Sequence, residues 1–211
     1  MPSAPASPAL SWPPQLLLRA QGVRVAFFDV DGVLTDGGLY FSAEGETLKR
    51  FHTLDGHGIK LLARAGIVPC VISGRDSAPL RLRLRALGVT QARLGTEDKL
   101  PAAAALLAEL GLDWSQAAAM GDDWPDLPLL RRAALACVPP GAHAEALACA
   151  HHVTAARGGE GAAREFCDLL LVAGGHYRRL LEAQMGGAAG TPPGCGARDG
   201  ISWPPGCRCW S

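Results

Sequence analysis

Residues 23–30, Val-Arg-Val-Ala-Phe-Phe-Asp-Val, form a short apolar run that ends abruptly in Asp31-Gly32. A run this apolar, rich in Val and Phe and closed by a polar turn, reads as a strand buried on both faces. Strands of that kind belong to parallel sheets covered by helices. The segments that follow agree with this. Residues 38–41 and 47–51 alternate around Ser42, Glu44 and Gly45, a pattern that predicts a small β-hairpin projecting from the main sheet. Residues 56–65 carry Ile59, Leu61, Leu62 and Ala65 at helical spacing before Gly66. From there strand and helix alternate, with strands over 67–72, 92–94, 117–120, 135–138 and 152–154 and helices over 78–87, 100–110, 127–132 and 161–181. The alternation predicts an α/β fold, a Rossmann-like doubly wound parallel sheet, whose ligand site lies beyond the C-terminal ends of the strands. The polar clusters 29–31, 73–75 and 121–123 all occupy that place.

A chain of 211 residues fits one such domain with short extensions. The domain is expected over 21–184, after a flexible N-terminal segment at 1–20. Beyond it, residues 185–211 are rich in Gly, Pro and Cys, cannot supply a core, and are expected to be disordered or an interaction tail. Twenty basic residues balance twenty acidic ones, so no overall field draws the protein to nucleic acid or to an anionic membrane. No apolar run reaches the roughly 18 to 20 residues a membrane helix needs. The N-terminus lacks the basic and apolar regions of a secretory signal, so the expected location is the cytoplasm. Cys70, Cys137, Cys149 and Cys167 each sit alone in apolar surroundings, as reduced buried thiols do, and Cys207 with Cys209 lacks the second ligand pair of a zinc site.

The chemistry begins at Asp29-Val30-Asp31-Gly32-Val33-Leu34-Thr35, where two carboxylates separated by one residue stand at the tip of the first strand. An ionised Asp can attack phosphorus and form an acyl phosphate that water later cleaves. The second Asp can protonate the leaving oxygen and then activate the water. Taken alone, such a sequence is equally well an Asx-rich turn. Three further clusters alter the balance. Ser73-Gly74-Arg75 offers a hydroxyl, backbone amides and a guanidinium to phosphoryl oxygens, and Lys99 offers an ammonium to the same charge. Gly121-Asp122-Asp123 offers carboxylates to a hard cation such as Mg²⁺. Each falls after an expected strand, and together they supply nucleophile, acid, anion clamp and metal ligand.

In motif order the chain resembles the haloacid dehalogenase-like phosphatases over residues 23–172. The resemblance implies Asp29 as nucleophile, Asp31 as general acid and base, and Ser73 and Lys99 as holders of the transferring phosphoryl. It also implies Mg²⁺ held by Asp29, Asp122 and the backbone carbonyl of Asp31, with Asp123 supporting. Only about 40 residues separate Asp31 from Ser73, room for a hairpin and a helix but no cap domain. Within that space, Thr35-Asp36-Gly37 and Leu54-Asp55-Gly56-His57-Gly58-Ile59-Lys60 resemble the 3-deoxy-D-manno-octulosonate 8-phosphate phosphatases. So do Arg83, Leu87-Gly88, the segment Asp126-Leu127-Pro128 and residues 158–170. That family acts on a small phosphorylated sugar acid in lipopolysaccharide precursor biosynthesis and forms homotetramers in which neighbouring hairpins help close the site. By this resemblance the substrate residues are Asp31, His52, Thr53, Leu54, Asp55, Gly56, Lys60, Arg75, Arg83 and Lys99. Alternatives are a phosphatase of a related nonulosonate, of the sialic acid 9-phosphate type, and a catalytically silent oligomerisation or regulatory module. A receiver-like acidic pocket ranks behind both.

Overall fold

In the computed structural model, which describes residues 10–186, the run at 23–30 becomes strand β1 (Val25–Phe28), buried along its whole length. It pairs in parallel with β4 (Val68–Ser73) on one side and β6 (Ala117–Met120) on the other. Outside these lie β5 (Gln91–Leu94), β7 (Leu135–Val138) and β8 (His152–Val153), giving the order β5-β4-β1-β6-β7-β8 with every pairing parallel. The chain runs outward from β1 through β4 to β5, then returns beside β1 and runs the other way. The strand order therefore reverses at β1, where a doubly wound sheet opens a crevice at its C-terminal edge.

Alternate residues of β1 feed two cores. Ala26 and Phe28 face one side, covered by α1 (Pro14–Ala20), α2 (Thr53–Ala65), α3 (Ala78–Leu87) and α7 (Ala162–Ala173). Val25 and Phe27 face the other, covered by α4 (Lys99–Leu110), α5 (Leu127–Leu130) and α6 (Ala144–Cys149). Phe28 meets Phe166 of α7 edge-on at 5.4 Å between ring centroids. Such a pair contributes about 0.5–1.5 kcal/mol beyond the area it buries. The two cores clamp β1 from both faces, so the residues just past its end are held on a rigid support. The hairpin forms from β2 (Tyr40–Ser42) and β3 (Gly45–Leu48), apart from the main sheet.

Several segments differ from expectation. Residues 14–20, expected to be flexible, form α1: Pro14 supplies the fixed φ that suits a first helical turn, and Leu16 and Ala20 are buried against the core. The helix expected over 161–181 is two. It ends at Ala173, and after Gly174 and Gly175, the latter at φ 72°, α8 (Tyr177–Gln184) starts in a new direction. Helix α5 is shorter than the expected 127–132, and α6 was not apparent in the sequence pattern. Most of the expected tail, with Cys207 and Cys209, lies outside the described residues. No helix among the described residues is long and apolar enough to cross a membrane.

Candidate active site

Beyond the end of β1 lies a cavity of about 550 Å³ lined by residues that include Asp29, Asp31, Ser73, Arg75, Lys99 and Asp122. These come from four different strand ends or helix starts, which explains why the cluster is dispersed in sequence. Asp29 follows β1 directly, and its backbone N–H donates to the Met120 carbonyl at the end of β6 (3.0 Å), which fixes the root of its side chain. Lys99, the first residue of α4, points its Nζ at Asp29 Oδ1 (2.6 Å) and Asp126 Oδ1 (2.7 Å). The ammonium is almost wholly buried. Burial alone would lower its pKa, but the Asp29 and Asp126 carboxylates outweigh that and raise it, so it stays charged.

The carboxylates crowd one another. Ligand oxygens of Asp29, Asp122 and Asp126 all lie within 4.8 Å of one another. Burial, with Asp126 beside it, pushes Asp29 up to about 6 in spite of Lys99. Asp122 is pushed to about 8 by burial and then by Asp29 and Asp126. Both shifts report oxygen donors short of positive charge, the condition a hard divalent cation relieves. Asp126 is already engaged. Its Oδ1 accepts from Lys99, and its Oδ2 accepts from the backbone N–H groups of Asp122 (3.0 Å) and Asp123 (3.3 Å). It orients the others, whereas Asp29 and Asp122 retain the free oxygens, so the donor set fits a cation held by those two. Gly32, at φ 86°, lets the loop approach this cluster: a Cβ there would lie 2.0 Å from Asp122 Oδ2.

Asp31 faces the cavity from the other side. Its Oδ1 accepts from Lys49 Nζ at 2.5 Å, and its Oδ2 lies 3.7 Å from Arg75 Nε. Ser73 ends β4, buried, with its Oγ accepting from the Arg75 N–H (3.1 Å), which curls the loop around the cavity. Asp123, at the mouth, lines the cavity and begins a short 3-10 turn.

The remaining residues expected to touch substrate lie outside this cavity lining. His52 caps α2, its ring accepting from the Leu54 N–H (3.3 Å). Thr53, Leu54 and Lys60 are exposed on α2. Asp55 is buried and accepts from the N–H groups of Arg164 (2.8 Å) and Gly161 (3.4 Å) at the start of α7, where it acts as a structural cap. Burial raises its pKa, against those two bonds. Arg83, expected from sequence either to hold substrate or to sit on a solvated face, is half-buried. It donates to the His52 carbonyl (3.1 Å), stacks at 5.7 Å over the Phe51 ring, and leaves a buried Nε without a partner among the described residues. Gly56 makes room for it, since a Cβ there would meet Arg83 Nη2 at 2.3 Å. Lys49 and Asp126 are two polar residues at the site to which sequence reasoning gave no role. Asp126 was visible in the motif that ends in Asp126-Leu127-Pro128, whereas Lys49 is a lone lysine in a hairpin.

No protein-family model matches the chain. Among curated proteins, the 3-deoxy-D-manno-octulosonate 8-phosphate phosphatase KdsC of Yersinia pestis is 41% identical over 158 residues, 75% of this chain and 84% of that protein. The KdsC of Haemophilus influenzae is 40% identical over 157 residues, 74% of this chain and 87% of its own. The crystal structure of the phosphatase of that name from Moraxella catarrhalis, in complex with magnesium, phosphate and a KDO molecule, superposes with a TM-score of 0.78. It is 34% identical, with 81% of this chain and 98% of that one covered. Identity of this level across most of each relative, carried on the same fold, places the chain in the 3-deoxy-D-manno-octulosonate 8-phosphate phosphatase family of haloacid dehalogenase-like hydrolases.

Proposed function

We propose that this chain is an Mg²⁺-dependent phosphatase that hydrolyses 3-deoxy-D-manno-octulosonate 8-phosphate to the free sugar acid and phosphate, a step in lipopolysaccharide precursor biosynthesis. The observation that carries the reading is the grouping of Asp29, Asp122 and Lys99 at the end of the central strand, with Asp31 across the cavity. When bound, Mg²⁺ supplies positive charge against the phosphoryl oxygens and the crowded carboxylates, held by Asp29, Asp122 and the Asp31 backbone carbonyl. Asp29 attacks phosphorus with one carboxylate oxygen, its other oxygen being left to the cation, and Lys99 offsets the charge of that carboxylate. As the bond from phosphorus to the sugar oxygen breaks, Asp31 gives that oxygen a proton. Asp31 then takes a proton from water, which attacks the same phosphorus and releases phosphate from Asp29. Ser73, Arg75 and Lys99 stabilise the charge on the transferring group.

The sugar-acid end is assigned to His52, Thr53, Leu54, Asp55, Gly56, Lys60 and Arg83. Arg83, half-buried and held beside His52 through its Nη2, brings a guanidinium to that surface, which supports a carboxylate partner there. Because these residues lie outside the cavity of their own protomer, the reading includes a homotetramer in which one copy's α2–α3 surface meets a neighbour's cavity. Leu39, Tyr40, Phe41 and Leu48 on the hairpin, 44–62% exposed, support an apolar contact of that kind. A single catalytic domain over 21–184, with α1 packed into its core as an N-terminal extension, and a cytoplasmic location complete the proposal; the free thiols of Cys70, Cys137 and Cys167 are in keeping with a reducing compartment.

The test is phosphate release from the octulosonate 8-phosphate, a sialic acid 9-phosphate and simple hexose phosphates, each with Mg²⁺ and with chelator. The expected result is Mg²⁺-dependent turnover with the highest kcat/KM on the octulosonate. A preference for the nonulosonate would overturn the substrate, and no turnover of any ester would overturn the activity.

A further inference from the structure

We infer that Lys49 is a positioning residue for Asp31, clamping one carboxylate oxygen so that the other is the one that exchanges the proton during catalysis. The inference rests on the phosphatase reading above and assigns a role to a side chain that reading does not use. Lys49 follows β3 and is flanked by Leu48 and Arg50, which are both exposed, yet its own side chain is only 1% exposed. Its Nζ reaches Asp31 Oδ1 at 2.5 Å and Glu46 Oε1 at 3.1 Å, and the Glu46 side chain is itself 9% exposed. Burying an ammonium costs several kcal/mol unless it is paired. A hairpin that needed only an anchor would be served by an apolar side chain at lower cost.

The geometry divides the two oxygens of Asp31. Oδ1 meets Lys49, with the Thr35 hydroxyl 3.5 Å away, and is turned toward the hairpin. Oδ2 lies toward Arg75, which lines the cavity. A general acid works when its proton sits within hydrogen-bond reach of the leaving oxygen. A carboxyl free to rotate about its Cβ–Cγ bond divides its time between productive and unproductive orientations. Lys49 and the Thr35 hydroxyl hold Oδ1 against the hairpin, so Oδ2 is the oxygen kept turned to the cavity. Glu46 Oε1, 3.1 Å from the ammonium, offsets its remaining charge without a hydrogen bond to it, so the directional bond of Lys49 is the one to Asp31. The hairpin thus has two faces: an outer apolar one, and an inner one that aims the general acid.

The test uses leaving-group dependence, which a lysine that merely held the hairpin would not alter. Proton donation matters for a sugar alkoxide and little for p-nitrophenolate, which departs without it. With full-length enzyme saturated in Mg²⁺, Lys49→Met should lower kcat/KM for the octulosonate phosphate by roughly 10² and for p-nitrophenyl phosphate by less than about threefold, within the range general acids contribute. The same variant should show a larger pre-steady-state burst of p-nitrophenolate, because release of phosphate from Asp29 still needs Asp31 as base. Lys49→Arg should restore most of the octulosonate rate. The double variant Glu46→Gln/Lys49→Met removes the stranded Glu46 charge, and it should keep the leaving-group dependence if Lys49→Met alone folds poorly. Equal losses on both substrates in both variants, or no loss on either, would overturn the role of Lys49 while leaving the phosphatase reading intact. A wild-type enzyme inactive on both esters would overturn that reading and the inference together.

Discussion

Replacing Asp122 by Asn should make the metal-free protein more stable at alkaline pH, although it removes a proposed metal ligand. Asp122 is raised from its ordinary 3.8 to about 8 by burial and by the neighbouring Asp29 and Asp126 carboxylates. Its proton is therefore held more tightly in the folded chain than in the unfolded one. Above the unfolded value, folding loses stability with every unit of pH until the folded carboxyl ionises. Asp29, raised only to about 6, is half ionised at the start of the interval from pH 6 to pH 8 and loses most of its remaining proton within the first unit, which leaves that window mainly to Asp122. At about 1.4 kcal/mol per unit, tapering as the group titrates, the loss across the window is on the order of 2 kcal/mol. The isosteric amide carries no charge to desolvate and should remove that slope. Urea denaturation of wild type and Asp122→Asn in chelator at pH 6 and pH 8 measures the difference directly. Adding Mg²⁺ should flatten the wild-type slope and raise its midpoint, with little response from the variant. Equal pH slopes in chelator for the two proteins would refute the argument that the three carboxylates are held together against their own repulsion.

Four further outcomes follow from the same geometry. Asp31→Asn should retain Mg²⁺ binding, since the proposed ligand from that residue is its backbone carbonyl, while losing roughly 10² to 10⁴ in turnover of the sugar-acid phosphate, as measured by phosphate release at saturating Mg²⁺. Arg83→Ala should cost roughly ten to a hundred and fifty fold in kcat/KM for the octulosonate phosphate, the loss of one charge-assisted contact, and little for p-nitrophenyl phosphate. Lys99→Ala should damage both substrates alike, because the phosphoryl group is common to them, and steady-state kinetics on the two esters separates these cases. If the proposed tetramer forms, substituting Phe41, 62% exposed on the hairpin, with Glu should shift it toward smaller species, as read by sedimentation velocity.

Much of the fold was legible because strands buried on both faces leave continuous apolar runs, as at 25–28, 68–73 and 117–120. The catalytic cluster was legible for a related reason: in a doubly wound sheet, polar residues just past a strand end have one place to go. Where local pattern is weak, tertiary contacts decide. α1 is seven residues long and held by Leu16 and Ala20 against α7, and α6 is an alanine-rich turn and a half with Ala146 as its buried residue. The 161–181 stretch kept enough helical spacing to conceal the break at Gly174 and Gly175. Side-chain direction was the least accessible feature. Asp55 reads as a polar residue at a helix start, and only the fold brings the α7 N-terminus onto it from 106 positions away. Lys49 reads as a solvated lysine, and only the approach of the hairpin to residues 29–35 buries it beside Asp31.

The central claim is that phosphate passes through a covalent bond to Asp29. Rapid quenching of wild-type enzyme during turnover of the octulosonate phosphate, followed by borohydride reduction and peptide mass spectrometry, addresses it directly, since an aspartyl phosphate is reduced to homoserine. The account expects homoserine at position 29, forming on the time scale of turnover and absent from the Asp29→Asn variant. Turnover at full rate with Asp29 unmodified, or with the phosphoryl group on another residue such as Ser73, would contradict it.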